Sequence, residues 1–336
     1  MRTKEEYIRG LSKMKRNLYH DGHLIDRTDE LQRDCLNTIG LTYDEAAKPE
    51  NQDLCTAISH LTGKRINRFN HIHQNREDLH RKQDMTRMLC HKVGGCIQRC
   101  MGIDAANAIY NVSYEADKVN PGATCYHENF KKWLTRFQKE DLVGCCAQTD
   151  VKGDRMLRPA DQPNPGAYLR IKERLKDGIV VEGCKLHISE ASVADEILAL
   201  PTRALRSEDK DYAVAFAVPG DWDGLKQIVT VHNLRPRKHF KRGFVPGATD
   251  SYLIFDNCFI PWERVFLAGE HLHGGILALL FALFHRHSYS GCKPAIGDII
   301  LGTAALAAEA NNIHKESHVR EKLAEIIMTA ELGYAA

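Results

Sequence analysis

Excess charge of either sign is nearly absent from this chain of 336 residues, which contains 46 Lys and Arg residues and 44 Asp and Glu residues. The resulting net charge of +2 gives no electrostatic basis for binding nucleic acid or an anionic membrane. Short basic clusters occur at residues 13–16 and 235–242. Such clusters are usually solvated surfaces, although a phosphate-bearing ligand could use one.

Long hydrophobic runs, internal repeats and low-complexity tracts are absent as well. The apolar stretch at residues 275–284 is too short to span a bilayer and suits a buried helix. The N-terminal segment MRTKEEYIRGLSKMKRNLYH contains no apolar core of a signal peptide. We therefore expect a cytoplasmic protein without membrane or nucleic-acid partners, in a reducing compartment that disfavours disulfides.

Cysteine, in contrast, is abundant, with 11 residues, and metal binding is the sharper explanation for some of these thiols. Four potential soft-metal ligands stand in two segments: Cys96 and Cys100 in GGCIQRCMG, and His285 and Cys292 in FHRHSYSGCKPAIGD. Spacings of four and seven residues place the members of each pair on one face of a helix. Three thiolates and one imidazole suit zinc or an iron–sulfur cluster, whereas buried cysteines on two core helices explain the spacing equally well.

The spacing of His285 and Cys292 favours a cluster over a single zinc ion. An α-helix rises about 1.5 Å per residue, so these side chains lie about 10.5 Å apart along the axis. That separation is long for two ligands of one tetrahedral ion. A cuboidal cluster is larger, and side chains could converge on it from both ends. Ser and Gly residues at 288–291 could also bend the helix between the two ligands.

The pattern of the chain divides it into three regions and predicts an α+β multidomain protein. Residues 1–142 carry apolar residues at helical spacing, and Thr42 followed by Glu45 predicts a capping box at a helix start. Residues 143–268 contain short runs rich in β-branched and aromatic residues, which predict a β-barrel or β-sandwich. Residues 269–336 are again helical, and we expect the helical bundle that they begin to be truncated at the chain end.

This order of helical, β and helical regions resembles the acyl-CoA dehydrogenase architecture. The segment MRTKEEYIRGL resembles the start of proteins in the 4-hydroxyphenylacetate 3-hydroxylase superfamily. Further segments are similar to the 4-hydroxybutyryl-CoA dehydratase family of that superfamily: INRFNHIHQNREDLHRKQDMTRML, CIQRCMGIDAANA, QTDVKGDR, IFDNCFIP and HRHSYSGCKPAIGDIILGTAALAAE. The resemblance covers essentially the whole chain and includes the four candidate ligands, which the flavoprotein hydroxylases of the superfamily lack.

The dehydratase resemblance implies two cofactors, FAD and a [4Fe-4S] cluster. The cluster would be held by three thiolates and one imidazole, from Cys96, Cys100, His285 and Cys292. The substrate would be an acyl-CoA, and the chain would assemble as a homo-oligomer, a tetramer.

The resemblance also assigns flavin contacts to the loop QTDVKGDR and the segment HISE. The residues are Gln148, Thr149, Asp150, Val151, Lys152, Gly153, Asp154, Arg155, His187, Ile188, Ser189 and Glu190. The family pattern has Thr and Gly where Ser189 and Glu190 stand, and Glu where Asp250 stands. From the residues alone, the loop after Thr149 would be a polar surface turn.

The reaction implied is dehydration of 4-hydroxybutyryl-CoA to crotonyl-CoA by a radical mechanism, with isomerisation of vinylacetyl-CoA to the same product. General acid–base catalysis supplies only about 10²–10⁴-fold, too little for a C3 proton that the thioester does not activate. His285 is the candidate base, Tyr289 a hydrogen-bond donor and Lys293 a positive charge beside the cluster. Packing and a solvated charge are the alternative roles of Tyr289 and Lys293.

Two other functions stay open. A reduced-flavin-dependent aromatic monooxygenase of the same fold would explain the N-terminal segment and the β region, but not the four ligands. An inactive partial chain would follow if helices beyond the present chain end were needed to bind the flavin.

Overall fold

The computed structural model describes residues 1–119, 121–231 and 249–335, so the basic cluster at residues 235–242 lies outside the described part. The predicted mixture of helical and β regions is confirmed, whereas the domain boundaries after residues 142 and 268 stay predictions. The α-helices among the described residues are α1 (Lys4–Leu11), α2 (Arg33–Ala47), α3 (Gln52–Cys55), α4 (Arg76–Val93), α5 (Cys100–Val119), α6 (Tyr126–Lys139), α7 (His271–Ala310) and α8 (Ser317–Ala335). The strands are β1 (Leu18–His20), β2 (His23–Ile25), β3 (Thr56–Ile58), β4 (Arg65–Asn67), β5 (Gly144–Ala147), β6 (Arg170–Arg174), β7 (Gly178–Ser189), β8 (Glu196–Ala199), β9 (Val214–Pro219), β10 (Leu225–Val231), β11 (Thr249–Pro261) and β12 (Val265–Ala268).

Two open sheets form the β part of the protein, beside the small pair β3-β4. The first contains six strands in the order β2-β1-β10-β11-β7-β6, and the second contains four in the order β12-β9-β8-β5. β1 pairs parallel with β10, and β5 pairs parallel with β8. The prediction of a closed barrel is wrong for the described strands, because each sheet ends in two edge strands. Buried side chains of both sheets join those of the helices in one continuous core.

The N-terminal region is mainly helical, but β1 and β2 leave it to join the six-stranded sheet. The capping box expected at Thr42 and Glu45 is wrong, since both residues lie inside α2. Thr42 is buried there, and its hydroxyl donates to the Ile39 carbonyl. The box forms instead at Thr3, whose hydroxyl accepts from the Glu6 N–H while the Glu6 carboxylate accepts from the Thr3 N–H.

An interruption of the helical pattern lies at the first pair of predicted ligands. Gly94 ends α4 with a φ of 72°, and α5 begins only at Cys100. Cys96 therefore lies in the connecting loop, so the prediction that Cys96 and Cys100 share one helix face is wrong. Periodicity missed the interruption because apolar residues continue through the loop, where Ile97 is completely buried.

The helix α7 is 40 residues long and carries both His285 and Cys292. Its length and composition would allow it to cross a membrane, but a helix packed inside a protein passes the same test. Here α7 packs against α4, α5 and α8. Pro294 cannot donate to the Ser290 carbonyl, and that carbonyl instead accepts from the Gln83 side chain at 3.5 Å. These contacts favour the packed helix.

Gly102 lies where α5 closely approaches the four-stranded sheet. A Cβ atom at Gly102 would lie 2.1 Å from the Gly144 carbonyl oxygen of β5. We predict that Gly102→Ala forces α5 away from β5 and destabilises the protein by about 1–3 kcal/mol, the usual cost of overpacking. Denaturant unfolding measures this loss.

The matched control is Gly302→Ala on α7, where nothing lies within 4 Å of the added methyl group. Alanine should stabilise that helix by about 0.5–1 kcal/mol. If Gly102→Ala were as stable as Gly302→Ala, the close approach of α5 and β5 would be wrong.

Candidate functional site

The predicted thiol ligands lie close together although they come from different segments. Cys96, in the loop before α5, and Cys292, on α7, are near enough for their thiols to interact. Cys100, the first residue of α5, is near enough to interact electrostatically with both. His285 is also near enough to Cys96 to lower the pKa of that thiol. All three thiols are free of disulfides.

The groups around these thiols shift their pKa values in opposite directions. Side-chain hydrogen bonding with Cys292 lowers the pKa of Cys96, and the positive charge of Lys293 acts in the same direction. The same bond is the main reason why the pKa of Cys292 is raised. Burial raises the pKa of Cys100 well above its usual value, while Lys82 acts in the opposite direction. Thiolates, not thiols, bind metals, so a positive environment suits such a role.

A buried polar network holds His285 on the side away from solvent. Its Nδ1 lies 3.0 Å from Oδ2 of Asp104, which is completely buried one turn along α5 from Cys100. Ser288 donates its hydroxyl to the same carboxylate at 3.0 Å. Lys82 of α4 forms an ion pair with Asp104. Three helices, α4, α5 and α7, thus meet at one carboxylate.

The three predicted catalytic residues follow one stripe of α7. The rings of Phe281 and His285 stack with centroids 5.5 Å apart, and Tyr289 meets His285 edge to face at 4.8 Å. The Lys293 ammonium lies 5.0 Å from the centre of the Tyr289 ring. Steps of four residues place these side chains on one helix face. They are neighbours, and their catalytic roles stay predictions.

The donor set has the chemistry that iron–sulfur clusters use. Across the described ranges, no three His, Cys, Asp or Glu side chains are grouped tightly enough to hold one ion. A four-iron cluster is larger, so its ligands lie further apart than those of zinc. Three thiols and one imidazole are donors that iron–sulfur clusters use, and Lys82 and Lys293 offset negative charge. The assignment of these ligands stays a prediction.

The two predicted flavin segments are neighbours in the fold. Asp150 forms a β-bridge with Lys185, and the Leu186 N–H donates to the Thr149 carbonyl at 2.8 Å. The loop QTDVKGDR therefore lies beside the end of β7 that carries the segment HISE. The sequence alone could not show this contact, because the segments are more than thirty residues apart.

The buried Lys185 side chain holds the loop QTDVKGDR in place. Lys185 donates to the carbonyls of Gln148 at 2.8 Å and Leu200 at 2.9 Å, and its ammonium lies 2.8 Å from the Asp150 carboxylate. Asp150 also donates its N–H to the Thr202 hydroxyl at 3.0 Å. The polar groups of Asp150 are therefore engaged within the protein, and this residue shapes the loop. Its predicted contact with flavin is untested.

Both flavin segments contain left-handed backbone. Lys152 and Gly153 in the loop, and His187 and Glu190 in HISE, have φ values between 51° and 74°. Such conformations at non-glycine residues cost about 1–3 kcal/mol each and cluster at ligand sites. The half-buried Thr149 hydroxyl makes no hydrogen bond with any described residue, so it is available to a ligand.

The flavin segments also reach the region of the predicted cluster ligands. Gln148 donates its side-chain amide to the Ala278 carbonyl of α7 at 3.4 Å, two turns before His285. Glu190 is near enough to Cys96 for their charges to interact. Ser189 donates to the Asp250 carboxylate at 2.5 Å, so two of the three residues that depart from the family pattern contact each other. The two predicted cofactor regions are therefore adjacent.

Sequence reasoning missed Lys82, Asp104 and Lys185. Lys and Asp are seldom buried, and periodicity alone assigns them to the surface. Two signals were nevertheless present. Asp104 interrupts the apolar stretch in MGIDAANA, and Lys185 falls on the buried side of the alternating pattern of β7.

Comparison with known proteins identifies related sequences along the whole chain. Residues 3–267 match the family model described as 4-hydroxyphenylacetate 3-hydroxylase N terminal, and residues 275–336 match the model for its C terminal part. A 4-hydroxybutyryl-CoA dehydratase/vinylacetyl-CoA-Delta-isomerase of Clostridium aminobutyricum is 41% identical over 99% of this chain and 69% of the relative. The chain thus spans about two thirds of that protein's length.

Two solved structures share the fold. The oxygen-tolerant archaeal 4-hydroxybutyryl-CoA dehydratase from N. maritimus superposes with a TM-score of 0.92 at 33% identity, over 98% of this chain and 67% of that one. The oxygenase component of 4-hydroxyphenylacetate 3-monooxygenase, in complex with FAD, superposes with a TM-score of 0.82 at 28% identity, over 100% of this chain and 70% of that one.

Glu190 is a buried acid without a hydrogen-bond partner in the described ranges. Burial raises its pKa well above the usual value; the nearby Cys96 raises it too, and Arg99 opposes the shift. Its φ of 68° is one that glycine adopts freely, which agrees with the glycine of the family pattern.

We predict that Glu190 makes the protein less stable as the pH rises. The folded protein keeps the carboxyl proton at pH values where the unfolded chain, with a pKa of about 4.3, has lost it. The stability from this group is fully present below about pH 4.3 and is lost as the pH rises toward the raised pKa of the folded state, at up to about 1.4 kcal/mol per pH unit. Glu190→Gln should remove this slope and be the more stable protein near neutral pH.

Urea unfolding across this pH range measures the difference. Glu309→Gln, which changes an exposed carboxyl on α7, is the matched control and should keep the wild-type slope. Parallel curves for wild type and Glu190→Gln would mean that Glu190 is ionised in the folded protein.

Proposed function

The chain belongs to the 4-hydroxyphenylacetate 3-hydroxylase family and, within it, to the 4-hydroxybutyryl-CoA dehydratases, and we propose that it catalyses the reaction of these enzymes. The protein dehydrates 4-hydroxybutyryl-CoA to crotonyl-CoA by a radical mechanism and isomerises vinylacetyl-CoA to the same product. Its cofactors are FAD and a [4Fe-4S] cluster, and it is a lyase with an associated isomerase activity.

The grouping of Cys96, Cys100 and Cys292 beside His285 is the observation that carries this proposal. Soft donors from a loop, from the start of α5 and from the middle of α7 are near enough for their charges to interact. A hydroxylase that uses only flavin has no need of such donors. The ligands would be the three thiolates and the imidazole.

The flavin would bind along the loop QTDVKGDR and the segment HISE. The Thr149 hydroxyl, which has no hydrogen-bond partner among the described residues, is available to hydrogen-bond the ring, and the exposed Arg155 is available to a phosphate. A solved relative of the same fold contains FAD, which supports this cofactor. Lys185 and Asp150 hold the loop in place.

Bound FAD would supply one-electron chemistry, and the cluster would supply a Lewis acid toward the substrate hydroxyl. The residues of the chain orient the substrate and move the proton. His285 would accept the proton that leaves C3, because imidazole is the side chain of this group that most readily accepts a proton near neutral pH. Tyr289 donates a hydrogen bond to the substrate, and Lys293 places a positive charge beside it.

Anaerobic purification tests the proposal directly. The protein should contain iron, sulfide and FAD, and should convert 4-hydroxybutyryl-CoA to crotonyl-CoA. Cys96→Ala should lose iron, because a cluster ligand is removed. Cys90→Ala is the matched control, since Cys90 is a completely buried thiol near Cys96 that is not a predicted ligand. Equal iron in Cys96→Ala and wild type would contradict the ligand set.

The second candidate, an aromatic monooxygenase, is supported by the fold that this chain shares with the FAD-bound oxygenase component. It predicts hydroxylation of a phenol by iron-free protein supplied with reduced flavin and oxygen. That result, together with no dehydration of the acyl-CoA, would replace the dehydratase proposal.

His285→Cys separates the two roles of this residue. We predict that the variant keeps its iron, since thiolate is a good ligand for a cluster. It should nevertheless lose dehydration, because a bound thiolate cannot accept the substrate proton. Iron content and turnover are measured on the same sample. Near-normal turnover would make His285 a ligand only and would move the base to Tyr289 or Lys293.

A further inference from the structure

Asp104 offers the nearest polar contact to His285, and its surroundings are unusual for a carboxylate. The side chain is completely buried, yet its carboxylate contacts three polar side chains. Lys82 supplies the opposite charge, Ser288 donates its hydroxyl, and His285 approaches through Nδ1 at 3.0 Å. Removing a carboxylate from water is costly unless it is paired and hydrogen-bonded, and here both conditions are met.

The contact between Asp104 and His285 fixes which imidazole nitrogen carries the proton. An ionised carboxylate only accepts hydrogen bonds, so the Nδ1 atom that faces it must be the donor. A neutral imidazole has one N–H, and Nε2 is then left with a free electron pair. That electron pair is what a metal ligand or a proton acceptor needs.

We propose that Asp104 is a positioning residue that holds His285 in the Nδ1–H form and presents Nε2 to the cluster, with Lys82 as the countercharge. This inference rests on the proposed function, because it assigns a supporting residue to the same site. Partners of this kind fix the orientation of metal-bound histidines in many proteins, and their loss typically costs about 10–100-fold in metal affinity.

Lys82 and Ser288 restrict the carboxylate in different ways. The ion pair keeps Asp104 attached to α4, and the Ser288 hydroxyl lies 3.1 Å from Oδ1 and 3.0 Å from Oδ2. Ser288 is three residues after His285 on α7, so one helix supplies both the positioned ring and a donor that orients the positioning group. Rotation of the carboxylate away from His285 would break both contacts with α7.

The test compares one change in two backgrounds. Lys82→Met combined with Asp104→Asn removes the charge pair as a unit, since removal of one partner alone would leave a buried charge. An amide at residue 104 can donate to Nδ1 and so favours the Nε2–H form. We introduce this double change into the wild-type protein and into His285→Cys, where no tautomer exists.

Iron release to a chelator and the Mössbauer spectrum of ⁵⁷Fe-enriched holoprotein are the measurements. With His285 present, the double change should accelerate iron release about 10–100-fold and alter the signal of the iron bound to nitrogen. In the His285→Cys background it should change neither. If Lys82 and Asp104 served only to stabilise the fold, the double change would lower iron retention equally in both backgrounds. That outcome would overturn the proposal.

Asp298→Asn is the matched control. Asp298, on α7 like His285, contacts the Nε2 atom of His91 on α4 at 2.6 Å, so it makes a second carboxylate–histidine contact between two helices. This variant should keep the iron and its spectrum. Absence of iron from the wild-type holoprotein is a distinct result, which would overturn the proposed function and this inference with it.

Discussion

The ion pair between Lys82 and Asp104 is the constraint on which the helical half of the site depends. Both side chains are almost completely buried, and two charges taken out of water need excellent pairing and further hydrogen bonds. Asp104 obtains those bonds only when α7 brings Ser288 and His285 to it. Residues 181 positions apart in the sequence are thereby held in contact. The arrangement of the helices at this site therefore follows from the partners that the Asp104 carboxylate needs.

A second buried lysine organises the β half in a similar way. An ammonium has three donors, and Lys185 directs them to the Asp150 carboxylate and to two backbone carbonyls. One of these carbonyls belongs to Gln148, whose side chain reaches α7. The position of the neighbouring Thr149 is therefore fixed by two contacts of Gln148, one with Lys185 and one with α7. Buried charge serves in both halves to fix a short segment against a rigid element.

Hydrophobic periodicity predicted the helical and β regions because it reports which face of an element is buried. It could not predict that Lys82 or Lys185 would be buried, since the energy of a buried charge depends on a partner far away in the sequence. It also could not reveal that β1 pairs with β10 or that neither sheet closes, because strand pairing is a long-range property. At the site, residue chemistry identified the thiols, whereas their secondary structure had to come from the fold.

The interruption between α4 and α5, which periodicity missed, is itself informative about function. A continuous helix would hold Cys96 and Cys100 about 6 Å apart along one axis. The loop, with Gly94 and Gln98 both at positive φ, instead brings Cys96 to Cys292 and leaves Cys100 as the first residue of α5. Departures from local preference are typical of functional sites. Because an FAD-containing oxygenase component shares the overall fold, architecture alone cannot distinguish the two chemistries, and the distinction must come from local geometry such as this loop.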